Sequence, residues 1–244
     1  MSKRFTYYGG IQGGLLPYLT AYWTADNIAT DVHVNNLGGA WNATSHYATG
    51  INGQAFDFQN NNTIRYVDVP DNDLLSFTDG TNDVPFTLNF WVNPHSLSST
   101  GDGYVMQKGT FDIGEREYFI ILRTTGIFFN KLSLNTNTNT VLTRSLSGIL
   151  NTTQWQMVTI TSDGSKFGEK IYLNSIDVTN TSTENGTFVK MQNGNSSLFL
   201  NARTNNRKYK GMLDEFAIFN GTELTQLQIQ DLYNGGVGKF YPNI

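Results

Sequence analysis

The chain has no cysteine and only five prolines in 244 residues. Disulfides, thiol nucleophiles and cysteine-ligated metals are therefore excluded. Charge is scarce too: Asp, Glu, Lys and Arg make up 15% of the residues, below the usual share of about a quarter. Twenty acids against sixteen Lys and Arg leave a net charge of −4. A nucleic-acid partner is not expected, because such partners demand a basic surplus or stripe. The strongest apolar run, residues 118–122, falls far short of the ~20 residues that span a bilayer, so no membrane partner is expected. Lys3 and Arg4 are not followed by the unbroken apolar stretch of about 7–15 residues that export requires. Neither a signal peptide nor a transmembrane segment is expected.

Catalytic signatures are missing as well. There is no G-x-S-x-G elbow, P-loop or G-x-G-x-x-G, and His33, His46 and His95 show no metal-ligand spacing. Glycoside hydrolysis needs two carboxylates about 5–9.5 Å apart across one bond, which on a strand means acids at alternate positions. The nearest candidate is Glu115-Arg-Glu117, and a solvated strand entrance is the simpler account of it. Asp214 and Glu215 are adjacent, so on a strand they point to opposite faces and cannot act as a pair. The chain is expected not to be an enzyme, with glycoside hydrolase as the least favoured function.

What is abundant is Asn (28), Thr (29), Gly (24) and aromatic residues (32). Thr and aromatics suit strands, and Asn and Gly suit the turns between them. In residues 85–93, Phe86, Leu88, Phe90 and Val92 share one face and Thr87, Asn89 and Trp91 the other, the period of a strand. Similar segments at 18–24, 54–58, 63–69, 104–108, 117–123, 127–134, 155–161, 170–174, 188–191, 197–201 and 209–219 predict an all-β sandwich or barrel. One helix is predicted over 225–234. Thr225 and Gln228 form a capping box, Leu224, Leu227, Ile229 and Leu232 give an apolar side, and Gly235 is placed to end it.

The segments GQAFDF (53–58), YVDVPD (66–71), FTLNFWV (86–92), WQMVTI (155–160), IYLN (171–174) and GMLDEFAIF (211–219) occur in an order that resembles a concanavalin A-like lectin/glucanase domain of the laminin-G-like, pentraxin-like type. The resemblance implies a two-sheet antiparallel jelly-roll sandwich with one short C-terminal helix, over residues 18–244, preceded by an arm at 1–17. Ser175 departs from the glycine usual after the Asn of the YLN turn. Many relatives hold a structural Ca²⁺, and the resemblance places its ligands at Asp26, Gly53 (through its carbonyl) and Asp214.

The fold hosts lectins, hydrolases and structural modules alike, so function has to come from the site. A lectin-like domain without catalytic acids, preceded by an aromatic, glycine-rich arm, is expected to be a structural or surface module of a larger assembly. The expected setting is the surface of a bacteriophage virion, as a decoration or tail-associated protein. Phe5, Tyr7 and Tyr8 are the candidate anchors for other virion proteins or for a second copy in a homo-oligomer. The alternative is a carbohydrate-binding lectin or adhesin with a glycan partner, using Trp91 on the polar face of its strand and Trp41 in an Asn- and Gly-rich loop.

Overall fold

The computed structural model describes residues 14–58, 64–100, 103–109, 115–133, 138–201 and 207–244. In chain order, the first strands are β1 (Ala21–Trp23), β2 (Ala40–Trp41), β3 (Tyr47–Thr49), β4 (Gln54–Asp57), β5 (Val67–Val69) and β6 (Phe86–Ser96). Then come β7 (Tyr104–Lys108), β8 (Tyr118–Arg123), β9 (Gly126–Leu132), β10 (Thr140–Ser145) and β11 (Gln156–Ser162). The last are β12 (Lys170–Leu173), β13 (Ile176–Asp177), β14 (Thr179–Asn185), β15 (Leu198–Leu200) and β16 (Lys210–Asn220), followed by the helix α1 (Gln226–Tyr233).

They form two antiparallel sheets of eight strands, the expected jelly-roll sandwich. Sheet A runs β13-β12-β11-β6-β16-β4-β3, and sheet B runs β14-β10-β9-β8-β7-β15-β5-β2. The two long strands β6 and β16 are neighbours at the centre of sheet A. The other side of β16 is shared: Met212 and Leu213 pair with β4, whereas Phe216 to Ile218 pair with β1. The change of neighbour leaves a junction at Asp214 and Glu215.

Period-two alternation sends one set of side chains into the space between the sheets. Trp23, Phe56, Phe86, Phe90, Tyr118, Phe129 and Phe216 are among the members of that core. Two smaller apolar clusters lie on the outer faces. On sheet A, Tyr22, Trp91, Met157 and Phe219 are roofed by Leu224, Ile229 and Leu232 of the helical segment and by Leu15 and Ile244. Leu15 N–H donates to the Ile244 carbonyl at 2.9 Å, so the packed domain includes Leu15, inside the arm expected at 1–17. On sheet B, the buried members of the cluster, Tyr104, Phe119, Ile121, Phe128 and Leu132, all come from the sheet itself.

The capping box forms as expected, with Thr225 and Gln228 satisfying each other's backbone N–H. The helix ends one residue earlier than predicted, on Asn234 in the left-handed region (φ 46°). Ile229 and Leu232 are buried, but Leu227 faces solvent. Asn174 (φ 51°) and Ser175 (φ 64°) are both left-handed in the β12–β13 turn, the conformation of a type I′ hairpin turn. Residues 188–191, expected as a strand, are irregular. The polar strand β14 carries no apolar period and was not predicted. No helix among the described residues is long and apolar enough to cross a membrane.

Candidate functional site

The junction in β16 gathers three acids. Between the pairs Asp214–Trp91 and Ala217–Asn89, β16 advances three residues while β6 advances two. The extra residue makes a β-bulge, and Glu215 sits there with φ 50°. The bulge breaks the alternation, so Glu215 turns toward the same pocket as Asp214. This corrects the expectation that adjacent acids cannot act together. Asp214 Oδ2 accepts from Ile51 N at 2.9 Å and Asn52 N at 3.4 Å. Asn52 Nδ2 donates to Glu215 Oε1 at 2.8 Å, so one asparagine ties both acids to the 50–54 loop. Asp26 Oδ1 receives Gln54 N at 2.8 Å from the other side of that loop.

The loop depends on two glycines. Gly53 is left-handed (φ 64°), and a Cβ there would collide with Asp26 Oδ1. A Cβ on Gly50 would collide with Asp214 Oδ2. Asp214 and Glu215 are 0% and 1% exposed, whereas Asp26, Asn52 and Gly53 lie at the surface. The cluster is thus buried at its base and open at Asp26. Burial first, and then the neighbouring Glu215, pushes the Asp214 carboxyl up to about 9. Burial, with Asp26 adding to it, pushes Glu215 up to about 7. Glu215 Oε2 has no hydrogen-bond partner. Buried carboxylates of this kind are stabilised by a proton or by a cation.

Calcium takes six to eight oxygens, from carboxylates, backbone carbonyls and water. Three carboxylates, one of them with an orphaned oxygen, and a loop bent around them fit that demand in donor type. Among the described residues no three His, Asp or Glu side chains are placed to hold a metal by themselves. Carbonyls and water must therefore complete any shell.

A second candidate lies on the outer face of sheet B. A groove of about 720 Å³ runs over β7 to β10, with Tyr104, Phe119 and Phe128 as apolar lining and Asn130, Arg123 and Arg144 as polar lining. Asn130 Oδ1 lies there without a hydrogen-bond partner. Arginines stack on the aromatics: Arg123 and Arg144 lie 5.4 and 5.7 Å from the Phe128 ring centre. Arg116 lies 5.1 Å from Phe119, and Arg207 5.5 Å from Tyr104.

A family profile described as the concanavalin A-like lectin/glucanases superfamily matches residues 60–230. The chain belongs to this superfamily. No curated protein sequence matches it. Among solved structures, this superfamily member resembles domain 4 of AbnA, a GH43 extracellular arabinanase from Geobacillus stearothermophilus, described in complex with arabinotriose. The TM-score is 0.58 at 22% identity, covering 87% of this chain and 97% of that one. It also resembles the binding domain of Paraclostridial Mosquitocidal Protein 1, with TM-score 0.70, 17% identity and coverage of 91% and 53%. The binding domain of Botulinum neurotoxin DC, described in complex with rat synaptotagmin II, gives TM-score 0.68, 14% identity and coverage of 91% and 52%. The chain spans about half the length of these two toxin domains. At such identities the likeness shows the shared sandwich.

The aromatic residues expected to bind sugar part ways within this concanavalin A-like sandwich. Trp91 is buried at 2% exposure, because the outer face of sheet A is roofed by the C-terminal segment. Its ring stacks on Tyr233 at 5.9 Å and meets Phe240 at 6.4 Å, so it cannot line an open groove. Trp41 is half-buried against Tyr47, Phe56 and Phe58. It lines a separate groove of about 650 Å³ with Tyr66, Asp68 and Asp71. Phe5, Tyr7 and Tyr8 lie outside the described residues. The groove on sheet B was missed in the sequence because its residues come from five strands. Its one local signal was the outward set Phe119, Ile121 and Arg123 in β8, an apolar face alternating with an equally apolar inner one.

Proposed function

We propose that the chain is a non-enzymatic glycan-binding module whose ligand lies in the outer groove of sheet B. The carrying observation is the groove's composition: the edges of the largely buried rings Tyr104, Phe119 and Phe128 form its floor, beside Asn130, Arg123, Arg144, Asn180 and Thr181. Sugars present flat apolar faces ringed by hydroxyls, so they need aromatic walls with polar groups close by. The arabinotriose complex of the similar arabinanase domain supports the reading by fold-level analogy.

The non-enzymatic reading is supported by where these acids lie. Asp214 and Glu215 are closed off from any bond they would have to flank. Glu117 is committed to the buried Lys108 at 3.1 Å. We propose a structural Ca²⁺ at the β16 junction, with Asp26, Asp214 and the Gly53 carbonyl as its candidate ligands and water completing the shell, where it would neutralise the cluster and fix the 50–54 loop. The groove carries the reading because its residues stand side by side on a folded sheet.

Titration against a panel of oligosaccharides tests the module. Phe128→Ala and Asn130→Ala should each weaken binding roughly tenfold, as expected for losing about 1–2 kcal/mol of contact. Trp91→Phe should leave it unchanged. Binding lost in Trp41→Ala and retained in both groove variants would move the site to the other groove.

A further inference from the structure

The two grooves of sheet B differ in sign. The Trp41 groove is lined by Asp68 and by Asp71, which pairs with the buried Lys108 behind it, and, among its described lining residues, by no Lys or Arg. The larger groove is lined by Arg123 and Arg144 and, among its described lining residues, by no Asp or Glu. Arg116 and Arg207 flank it over Phe119 and Tyr104. Four of the seven arginines of an acidic chain therefore share one face.

The register explains how they are held. Phe128 on β9 stands between Ile121 of β8 and Arg144 of β10, and Arg123 comes from the end of β8. Both guanidinium groups rest against the one ring. Their stems thereby cover the apolar floor, and stacking limits the rotamer freedom lost when they bind. A guanidinium lying on a ring still presents planar N–H forks, which match the two oxygens of a carboxylate or sulfate. A cleft lined by charge of one sign also concentrates ligands of the opposite sign.

We propose that the sheet B groove takes an acidic glycan, with Arg123 and Arg144 meeting its carboxylate or sulfate groups and Phe128 and Asn130 meeting the sugar beside them. This inference rests on the glycan-binding reading above. It favours a polysaccharide over a nucleic acid because the chain as a whole is negative and repels a dense phosphate backbone.

The test is binding of the full chain to polygalacturonate (carboxylate), carrageenan (sulfate), laminarin (neutral) and a single-stranded oligonucleotide, at low and at physiological salt. At least one acidic polysaccharide should bind tenfold or more tightly than laminarin, and added salt should shrink that preference. Carboxylate and sulfate sources are separated by which of the two acidic polymers binds. Arg123→Gln with Arg144→Gln should abolish the preference while the melting temperature stays near that of the unchanged protein. Should that double variant unfold, the Arg144→Lys variant, which keeps the charge and loses the fork, should still lower the preference. Equal binding of neutral and acidic polymers overturns the inference and leaves the glycan reading standing. No binding to any polysaccharide overturns both. Preference for the oligonucleotide, or a preference unchanged in the arginine variants, also overturns the inference.

Discussion

Two lysine cages in sheet B and the acid cluster in sheet A solve the same problem in opposite ways. Lys108 is fully buried, and its Nζ meets Asp71 at 2.5 Å, the Ser196 carbonyl at 2.6 Å and Glu117 at 3.1 Å. Lys131, also fully buried, meets Glu169 at 2.7 Å, the Ser165 carbonyl at 3.0 Å and Asp83 at 3.2 Å. Its ammonium also lies 4.8 Å from the Phe188 ring centre. Each cage surrounds one ammonium with two carboxylates. Burial still raises Glu117 and Glu169, but the facing lysine pulls each of them down. The cluster of Asp26, Asp214 and Glu215 has only amide and hydroxyl donors, from the 50–54 loop, the backbone of Glu215 and Tyr22. A cage carries its own cation, so it ties loops to the sheet whatever the solution contains. Among the described residues the cluster has none, so its charge is set by pH. Burial of acids alone therefore does not separate a satisfied ion pair from an uncompensated cluster; a facing lysine does.

The largest expected effect breaks a cage. Lys131→Met leaves Asp83 and Glu169 buried without their cation, and such losses cost about 3–5 kcal/mol. Chemical denaturation should show it, and a loss under ~1 kcal/mol would mean that the cage does not hold the sandwich together. Next comes the cation itself. If Ca²⁺ binds only the folded chain, a hundredfold excess over Kd should add about 2.7 kcal/mol, several degrees of Tm for a chain of this size. Asp214→Asn should lose that gain relative to EDTA, while Lys131→Met should keep it. An equal gain in Asp214→Asn would remove the assignment.

The third prediction uses proton linkage. Folded Asp214 and Glu215 hold protons more tightly than the unfolded chain does. Their contribution to stability is therefore full below the ordinary carboxylate range, and it is lost as pH rises through about 7 for Glu215 and about 9 for Asp214. In EDTA, Tm should fall between pH 5 and pH 9, and saturating Ca²⁺ should flatten the fall. A profile that is identical with and without Ca²⁺ would show that the acids and the ion do not share a site. The smallest effect sharpens the contrast between neutral isosteres. At pH 8 in EDTA, Glu169→Gln should cost about 1–3 kcal/mol, because it weakens a charge-assisted bond. Glu215→Gln should instead leave stability unchanged or raise it, since at this pH it removes a charge that burial disfavours. Equal losses measured by denaturation would erase the distinction between cage and cluster.

Much of the molecule is legible in the sequence because its causes are local. Alternation in 86–92 sets which side chains of β6 enter the core, the Thr225 and Gln228 pair starts the helix, and the ordered segments from 53 to 219 identify the superfamily. Asp26, Gly53 and Asp214, named in the sequence as candidate ligands, lie about one loop. Three things were decided only by tertiary structure. Glu215 joins Asp214 because β6 and β16 pair with one residue out of step, and a bulge is a property of two strands together. Trp91 is sealed because a helix 140 residues later along the chain lies over its face; alternation tells which side a residue takes but not what covers that side. The arginine-lined groove exists because β7 to β10 and β14 set side by side residues that the sequence scatters from Tyr104 to Thr181. A ligand reads a surface, and the pairing of strands is what makes one.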